Sequence, residues 1–323
     1  MDMALVATRP GGSGVMEWTA LETGTPGDGE VLVRHTAIGV NFIDVYFRSG
    51  LYPWAEDTMI PGAEAAGVVE EIGPGVGDLK PGDRVAYVLR TGAYRQRRIM
   101  PAERLVKLPD GISEKLAASV MLKGLTAQYL VTASHVVKPS ETVLVHAAAG
   151  GVGLILGQWL KALGARAIGT AGSEEKVALA LSHGYSDVIN YRTEDFAAKV
   201  MELTDGKGCE AVYDSVGKDT WRGSLASLKR FGMFVNFGQS SGMIEGFKLS
   251  DLAKGSLSAN RPMLFDYVAS RADLEARADD LFGKLKSGAV KADVITEMPL
   301  QEAGAAHDAL EGRKTRGSLV LTV

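Results

Sequence analysis

The chain has 323 residues, 46% apolar and 23% charged, a composition of an ordinary globular protein that argues against disorder and a length that suits about two folded domains. The formal net charge of −4 argues against a nucleic-acid partner and against binding to an anionic membrane surface. A single cysteine, Cys209, excludes an internal disulfide and any multi-cysteine zinc or iron–sulfur site.

The start, Met1-Asp2-Met3-Ala4, has neither a basic patch nor a long apolar run, so the chain reads as cytoplasmic. The first third reads as β-rich. Residues 30–34, 67–72 and 84–88 are strand-like runs, and Gly73-Pro74-Gly75 and Lys80-Pro81-Gly82-Asp83 are turns, a pattern that suits a small barrel or sandwich. The pattern changes near residue 110: Ser113 opens a helical segment with Leu116, Ala117 and Val120 at helical spacing. After Pro139, strands at 142–146, 165–170, 187–191, 210–214 and 233–237 alternate with helices at 152–163, 173–181, 196–203 and 220–228. Alternation of this kind forces parallel pairing with right-handed crossovers, hence an α/β class with a doubly wound parallel sheet. Further on, Leu274, Ala278, Leu281, Phe282 and Leu285 trace one helical face, and residues 317–323 form a strand that can rejoin the β-rich part.

The nearly chargeless stretch from Thr142 to Leu160 is long enough to span a bilayer. Ala149-Gly150-Gly151-Val152-Gly153 interrupts it, and His146 and Gln158 are polar, so it reads as a buried strand, a glycine turn and a buried helix.

That turn is the strongest motif. In Val145-His146-Ala147-Ala148-Ala149-Gly150-Gly151-Val152-Gly153, the positions of a G-x-G-x-x-G fingerprint fall on Ala148, Gly150 and Gly153. The middle glycine lets backbone approach a pyrophosphate, and the last lets helix pack on strand. The helix that Gly151 and Val152 open presents free N–H groups to the anion. Alanine in the first position relaxes the tight turn, and a merely structural glycine turn is the competing reading. The flanking strand and helix favour a dinucleotide. At the end of the next strand, Gly169-Thr170-Ala171-Gly172-Ser173 carries no carboxylate to hold a ribose 2′-hydroxyl, and Lys176 follows in the first helical turn. A cation there opposes the helix dipole unless an anion accompanies it, which favours a 2′-phosphate, with Tyr191 able to complete the pocket. Lys176 as a solvated helix residue is the plain alternative.

Seven segments carry a family resemblance: Ala37–Asp44, Arg48–Pro53, Pro61–Gly67, Leu122–Ala127, His146–Gly153, Val212–Gly217 and Phe237–Gly242. Together they resemble the medium-chain dehydrogenase/reductase superfamily and, within it, the zinc-free, zeta-crystallin-like quinone oxidoreductases. The resemblance implies a GroES-like β-rich catalytic domain, residues 1–122 completed by 262–323, and a Rossmann dinucleotide-binding domain, residues 123–261. It also implies a cofactor in the cleft and a homodimer through the Rossmann sheet edge. Asn41 and Ala63 stand where zinc relatives keep Cys and His, and Glu64 alone is no ligand set, so no metal is expected.

Without a metal to polarise a simple alcohol, the expected reaction is transfer of reducing equivalents from NADPH to an ortho- or para-quinone, without flavin and with the electron count open. By the resemblance, Asn41, Tyr46 and Tyr52 line the pocket and donate hydrogen bonds to a developing oxyanion, and Asp44 orients its neighbours. Core packing is the plain reading of each tyrosine. Lys123 and Thr126 fall at contacts to the nicotinamide ribose or phosphate. Ser215, Phe237, Gln239 and Ser240 belong to the cofactor groove, and Arg316 lies near the 2′-phosphate. His146 reads as a satisfied core histidine, Cys209 as structural, and the run Arg90, Arg95, Arg97, Arg98 and Arg104 as a solvated hairpin face. Two other functions stay open: an enoyl or alkenal reductase acting on an activated C=C, and a non-catalytic, crystallin-like NADPH-binding protein.

Overall fold

The structure is a computed structural model that describes residues 1–323. In chain order, the elements begin with β1 (Asp2–Ala7), β2 (Met16–Leu21), β3 (Glu30–Val40), α1 (Phe42–Arg48), β4 (Glu64–Ile72), β5 (Arg84–Val88), β6 (Arg97–Pro101), β7 (Val106–Lys107) and α2 (Glu114–Tyr129). The alternating stretch follows: β8 (Thr142–Val145), α3 (Gly151–Ala162), β9 (Arg166–Ala171), α4 (Glu174–Ser182), β10 (Asp187–Asn190), α5 (Phe196–Leu203), β11 (Cys209–Asp214), α6 (Trp221–Ala226), β12 (Leu228–Asn236) and β13 (Ser258–Asn260). The last elements are α7 (Leu264–Tyr267), α8 (Arg271–Lys286), β14 (Ile295–Pro299), α9 (Ala303–Glu311) and β15 (Ser318–Thr322).

Two compact units divide the chain: one holds 1–125, 268–286 and 292–323, the other 126–267 and 287–291. In the first, a sheet runs β14-β15-β3-β4-β5-β7, with β6 also paired to β3. β3 is long enough to take two partners on one edge: residues 30–34 pair with β6, and residues 37–40 pair antiparallel with β15. The chain's end therefore does rejoin the β-rich part. Sequence patterning stops this strand at Arg34, because His35 breaks the apolar run. The structure carries β3 on to Val40, since His35 is buried with both ring nitrogens bonded, Nδ1 to the Arg95 carbonyl and Nε2 to the Tyr87 hydroxyl. Val33, Ile38, Val69, Tyr87, Leu105, Leu319 and Leu321 belong to this unit's core.

The second unit is a six-stranded sheet, all of whose pairings are parallel, in the order β10-β9-β8-β11-β12-β13. Its core includes Leu144, Ile168, Ile189, Val212 and Phe234, one from each of five strands, with Trp221 from α6. The order reverses at β8, where β9 lies on one side and β11 on the other, and ligands bind at such a switch point beyond the carboxyl ends of strands. The stretch Thr142–Leu160 is β8, a turn and α3, and no helix is long and apolar enough to cross a membrane. Sequence patterning places Leu228 at the end of a helix, but it begins β12, opposite Cys209. The cause is local: α6 stops at Ala226, and the Ser227 carbonyl accepts the Cys209 N–H at 2.8 Å.

Candidate active site

In the first unit, α1 brings most of the sequence-predicted catalytic residues together. Asn41 is its N-cap, and the Asp44 carboxylate reaches back to accept the Asn41 N–H at 2.8 Å. Tyr46 lies on the same helix. Tyr52 follows the Gly50 turn and returns to it: its N–H donates to the Tyr46 carbonyl at 2.9 Å, and the two rings meet edge-on with centroids 5.3 Å apart.

Glu64, at the start of β4, is fully buried and gathers three donors. Its Oε1 accepts from Asn41 Nδ2 at 2.9 Å and from Lys123 Nζ at 2.7 Å, and its Oε2 accepts the Leu122 N–H at 2.6 Å. Gly39 makes room for this carboxylate, because a Cβ there would fall on Glu64 and on the Ala118 carbonyl. These donors do not fit zinc. Asn41 and Ala63 replace thiolate and imidazole, and the one carboxylate already holds an ammonium.

A second buried chain of hydrogen bonds ends on Asp44. An Arg48 N–H donates to His307 Nδ1 at 3.4 Å, which leaves the imidazole proton on Nε2 to donate to the Tyr94 oxygen at 2.9 Å. The Tyr94 hydroxyl in turn donates to Asp44 Oδ2 at 3.1 Å. Arg48 is anchored by Glu311 at 2.9 Å. Asp44 Oδ1 is buried with no partner. Burial pushes the Asp44 carboxyl up to about 7 against the lowering effect of its donors, with the Glu64 charge raising it and the Lys123 charge lowering it. Burial also holds His307 neutral, down to about 3. Tyr94 and His307 escape sequence analysis because nothing local marks them: 213 positions separate the two side chains that meet.

In the second unit, the glycine turn follows β8. Gly150 is the extended N-cap of α3, and a Cβ on Gly153 would fall on the Ala147 and Ala148 carbonyls, so only glycine fits there. Gly151 and Val152 form the first turn of α3, with no acidic residue to compete for its N–H groups. Ala148 is buried against Gly169, where an added Cβ would meet its methyl at 2.7 Å. Gly172 follows β9 and lies beside the Tyr191 hydroxyl. Ser173 caps α4 by accepting the Lys176 N–H at 3.3 Å. Glu174, the first acid after β9, accepts from Asn190 Nδ2 at 2.6 Å.

Asp214 organises the next edge. Its Oδ1 accepts the Val216 and Gly217 N–H groups, its Oδ2 accepts the Thr220 and Ser224 hydroxyls, and its carbonyl accepts the Phe237 N–H. The Ser215 carbonyl accepts the Ser240 N–H at 3.1 Å, and Gln239 is buried beside Gly217. His146 is buried between the Thr170 and Ser224 hydroxyls, a satisfied core histidine. Cys209 is buried, its thiol pushed up to about 12 by burial, so it is no nucleophile. Thr126 lies within α2 in this unit, and Arg316 precedes β15 in the first.

Residues 27–142 match the alcohol dehydrogenase GroES-like domain family, and residues 151–282 match the zinc-binding dehydrogenase family. A quinone oxidoreductase of Pseudomonas aeruginosa is 48% identical over 96% of both chains. The chain belongs to the quinone oxidoreductase family. Within this family, a 2-haloacrylate reductase of a Burkholderia species is 45% identical over 99% of both chains. The crystal structure of Escherichia coli quinone oxidoreductase complexed with NADPH superimposes with a TM-score of 0.97, at 44% identity, over 99% of this chain and 100% of that one. The second unit is thus the Rossmann part of a medium-chain dehydrogenase/reductase, and the first carries its GroES-like fold. The zinc-binding label of the matched family does not extend to the residues found here at Asn41, Ala63 and Glu64.

Proposed function

We propose that the chain is an NADPH-dependent quinone reductase that works without zinc or flavin. The observation that carries this reading is the near-full-length identity to a quinone oxidoreductase. The site chemistry supports it, because the Asn41–Glu64–Lys123 cluster offers hydrogen-bond donors and no metal ligands.

NADPH, when bound, supplies the hydride. Gly150, Gly151, Val152 and Gly153 cradle its pyrophosphate with backbone N–H groups. Lys176, Ser173, Gly172, Tyr191 and Arg316 take the 2′-phosphate end. Lys123, Thr126, Ser215, Phe237, Gln239 and Ser240 hold the remainder. Asn41, Tyr46 and Tyr52 orient the acceptor and donate hydrogen bonds to the oxygen that gains charge. Asp44 fixes the start of α1, and with it Asn41.

The assignment includes residues 1–122 with 262–323 as the catalytic domain and 123–261 as the cofactor domain. It also includes a cytoplasmic location and a homodimer through the edge of the parallel sheet, where β13 has no second neighbour. A second reading, reduction of an activated C=C, is favoured by the similarity to the 2-haloacrylate reductase. Following NADPH absorbance with 1,4-benzoquinone, 9,10-phenanthrenequinone and a crotonyl thioester separates the two. Rapid oxidation with the quinones supports the first reading, and oxidation by the thioester alone replaces it with the second.

A further inference from the structure

The arginine-rich segment between residues 90 and 104 is neither a hairpin nor one solvated face, because β6 pairs with β3 and not with β5. Arg97 is tied to Asp2 and Glu70, and Arg104 donates to the Val268 and Ala269 carbonyls. Arg95 and Arg98 are different, since neither has a carboxylate partner. Arg98 donates to the Tyr87 hydroxyl at 3.3 Å and lies over that ring, 5.3 Å from its centroid. Arg95 makes no side-chain hydrogen bond, and its Nε is buried without a partner.

The acceptors nearby are already spent. The Arg95 carbonyl takes the His35 Nδ1 proton at 2.7 Å, so His35 Nε2 must accept the Tyr87 hydroxyl proton at 3.0 Å. The Tyr87 oxygen in turn receives Arg98. Burial and the two guanidiniums keep His35 neutral, so the imidazole adds no charge of its own. Burial and the charge of Arg98 both weaken the hold of Arg95 on its proton. The turn before Arg98 lies close to its guanidinium: Gly92 has φ +98°, which glycine adopts without strain, and a Cβ there would come within 2.8 Å of the Arg98 guanidinium. A glycine turn that makes room for a guanidinium, beside a second guanidinium with unspent donors, has the form of an anion receptor.

We propose that Arg95 and Arg98 form a binding site for one small oxyanion, a phosphate or a carboxylate, which accepts the forked N–H groups that the protein leaves unmade. The ion compensates two half-buried charges, so its occupancy stabilises the first unit. This site lies outside the residues assigned to cofactor and acceptor and does not depend on the proposed reaction.

The test is thermal unfolding of the full chain, saturated with NADPH so that its phosphate-binding residues are filled. Orthophosphate, acetate and chloride are titrated at constant ionic strength. Orthophosphate or acetate is expected to raise Tm in a saturable way by several degrees, chloride is not, and the more effective oxyanion names the ligand chemistry. Arg95→Gln and Arg98→Gln are expected to lose the response, while Arg34→Gln keeps it. Arg95→Lys, which keeps the charge and loses the fork, is expected to weaken it about tenfold, and it serves where Arg95→Gln does not fold. An equal response to chloride, no response, or a response unchanged in Arg95→Lys and Arg98→Gln overturns the proposal.

Discussion

At the scale of single residues, the placement of buried charge decides the behaviour of the site. Asp44 is the sharpest case. Its folded-state value near 7, against 3.8 unfolded, means that the folded chain holds this proton more tightly than the unfolded chain does. The contribution of Asp44 to stability is therefore most favourable at acid pH and is lost as pH rises from about 4 through about 7. The whole span is worth about 4 kcal/mol. Asp44→Asn keeps an acceptor for the Asn41 N–H and removes the titration. Urea unfolding should show Asp44→Asn gaining on the wild type by up to about 4 kcal/mol between pH 4 and pH 8. A difference that stays constant with pH would mean that burial does not govern this carboxyl.

In the proposed cofactor site, Lys176 is the residue that selects NADPH over NADH. Removing a charge-assisted contact to phosphate costs about 1.5–3 kcal/mol, so Lys176→Ala should weaken NADPH binding about 10- to 100-fold and leave NADH nearly unchanged in a fluorescence titration. Equal losses for both cofactors would assign Lys176 to the helix and not to the phosphate.

At the scale of elements, the turn between β8 and α3 carries the most information per residue. Gly153→Ala places a methyl on two backbone carbonyls, and backbone cannot yield as a side chain end can. Destabilisation of about 1–3 kcal/mol by urea unfolding is expected, together with weaker NADPH binding. Wild-type stability and affinity in this variant would show that the turn does not need its glycine.

The same turn shows why much of the second unit was legible in the sequence. Strands buried on both faces read as short apolar runs, as in Thr142–Val145 and Cys209–Asp214, and Gly164 and Ser173 mark helix ends by their own chemistry. The first unit was harder. α1 is seven residues long and buries Asp44 and Arg48, so it has no clean apolar face to detect. α9 buries Ala303, Ala306 and His307, which are too small or too polar to stand out. The candidate site divides in the same way. The Gly150–Gly153 turn announces itself through spacing, and Asn41, Tyr46 and Tyr52 through the family pattern. Tyr94, His307 and the Arg95–Arg98 pair acquire meaning only from partners far away in the chain.

At the scale of the whole molecule, two units with different architectures share one task. The parallel sheet with its glycine turn supplies the groups for a dinucleotide, and the β-rich unit supplies buried amide, ammonium and phenol donors around Glu64 and α1. A chemistry without a metal follows from that second set. An acceptor that gains aromaticity on reduction needs orientation and modest charge stabilisation rather than a strong Lewis acid.

NADPH-dependent quinone reduction is read out by the steady-state kcat/KM for 1,4-benzoquinone, measured with the purified wild-type chain under saturating NADPH and then under NADH. Rapid quinone-dependent oxidation of NADPH is expected, with a kcat/KM at least roughly tenfold lower with NADH. Equal rates with the two cofactors, or tight NADPH binding without oxidation by the quinone, would contradict the proposed function.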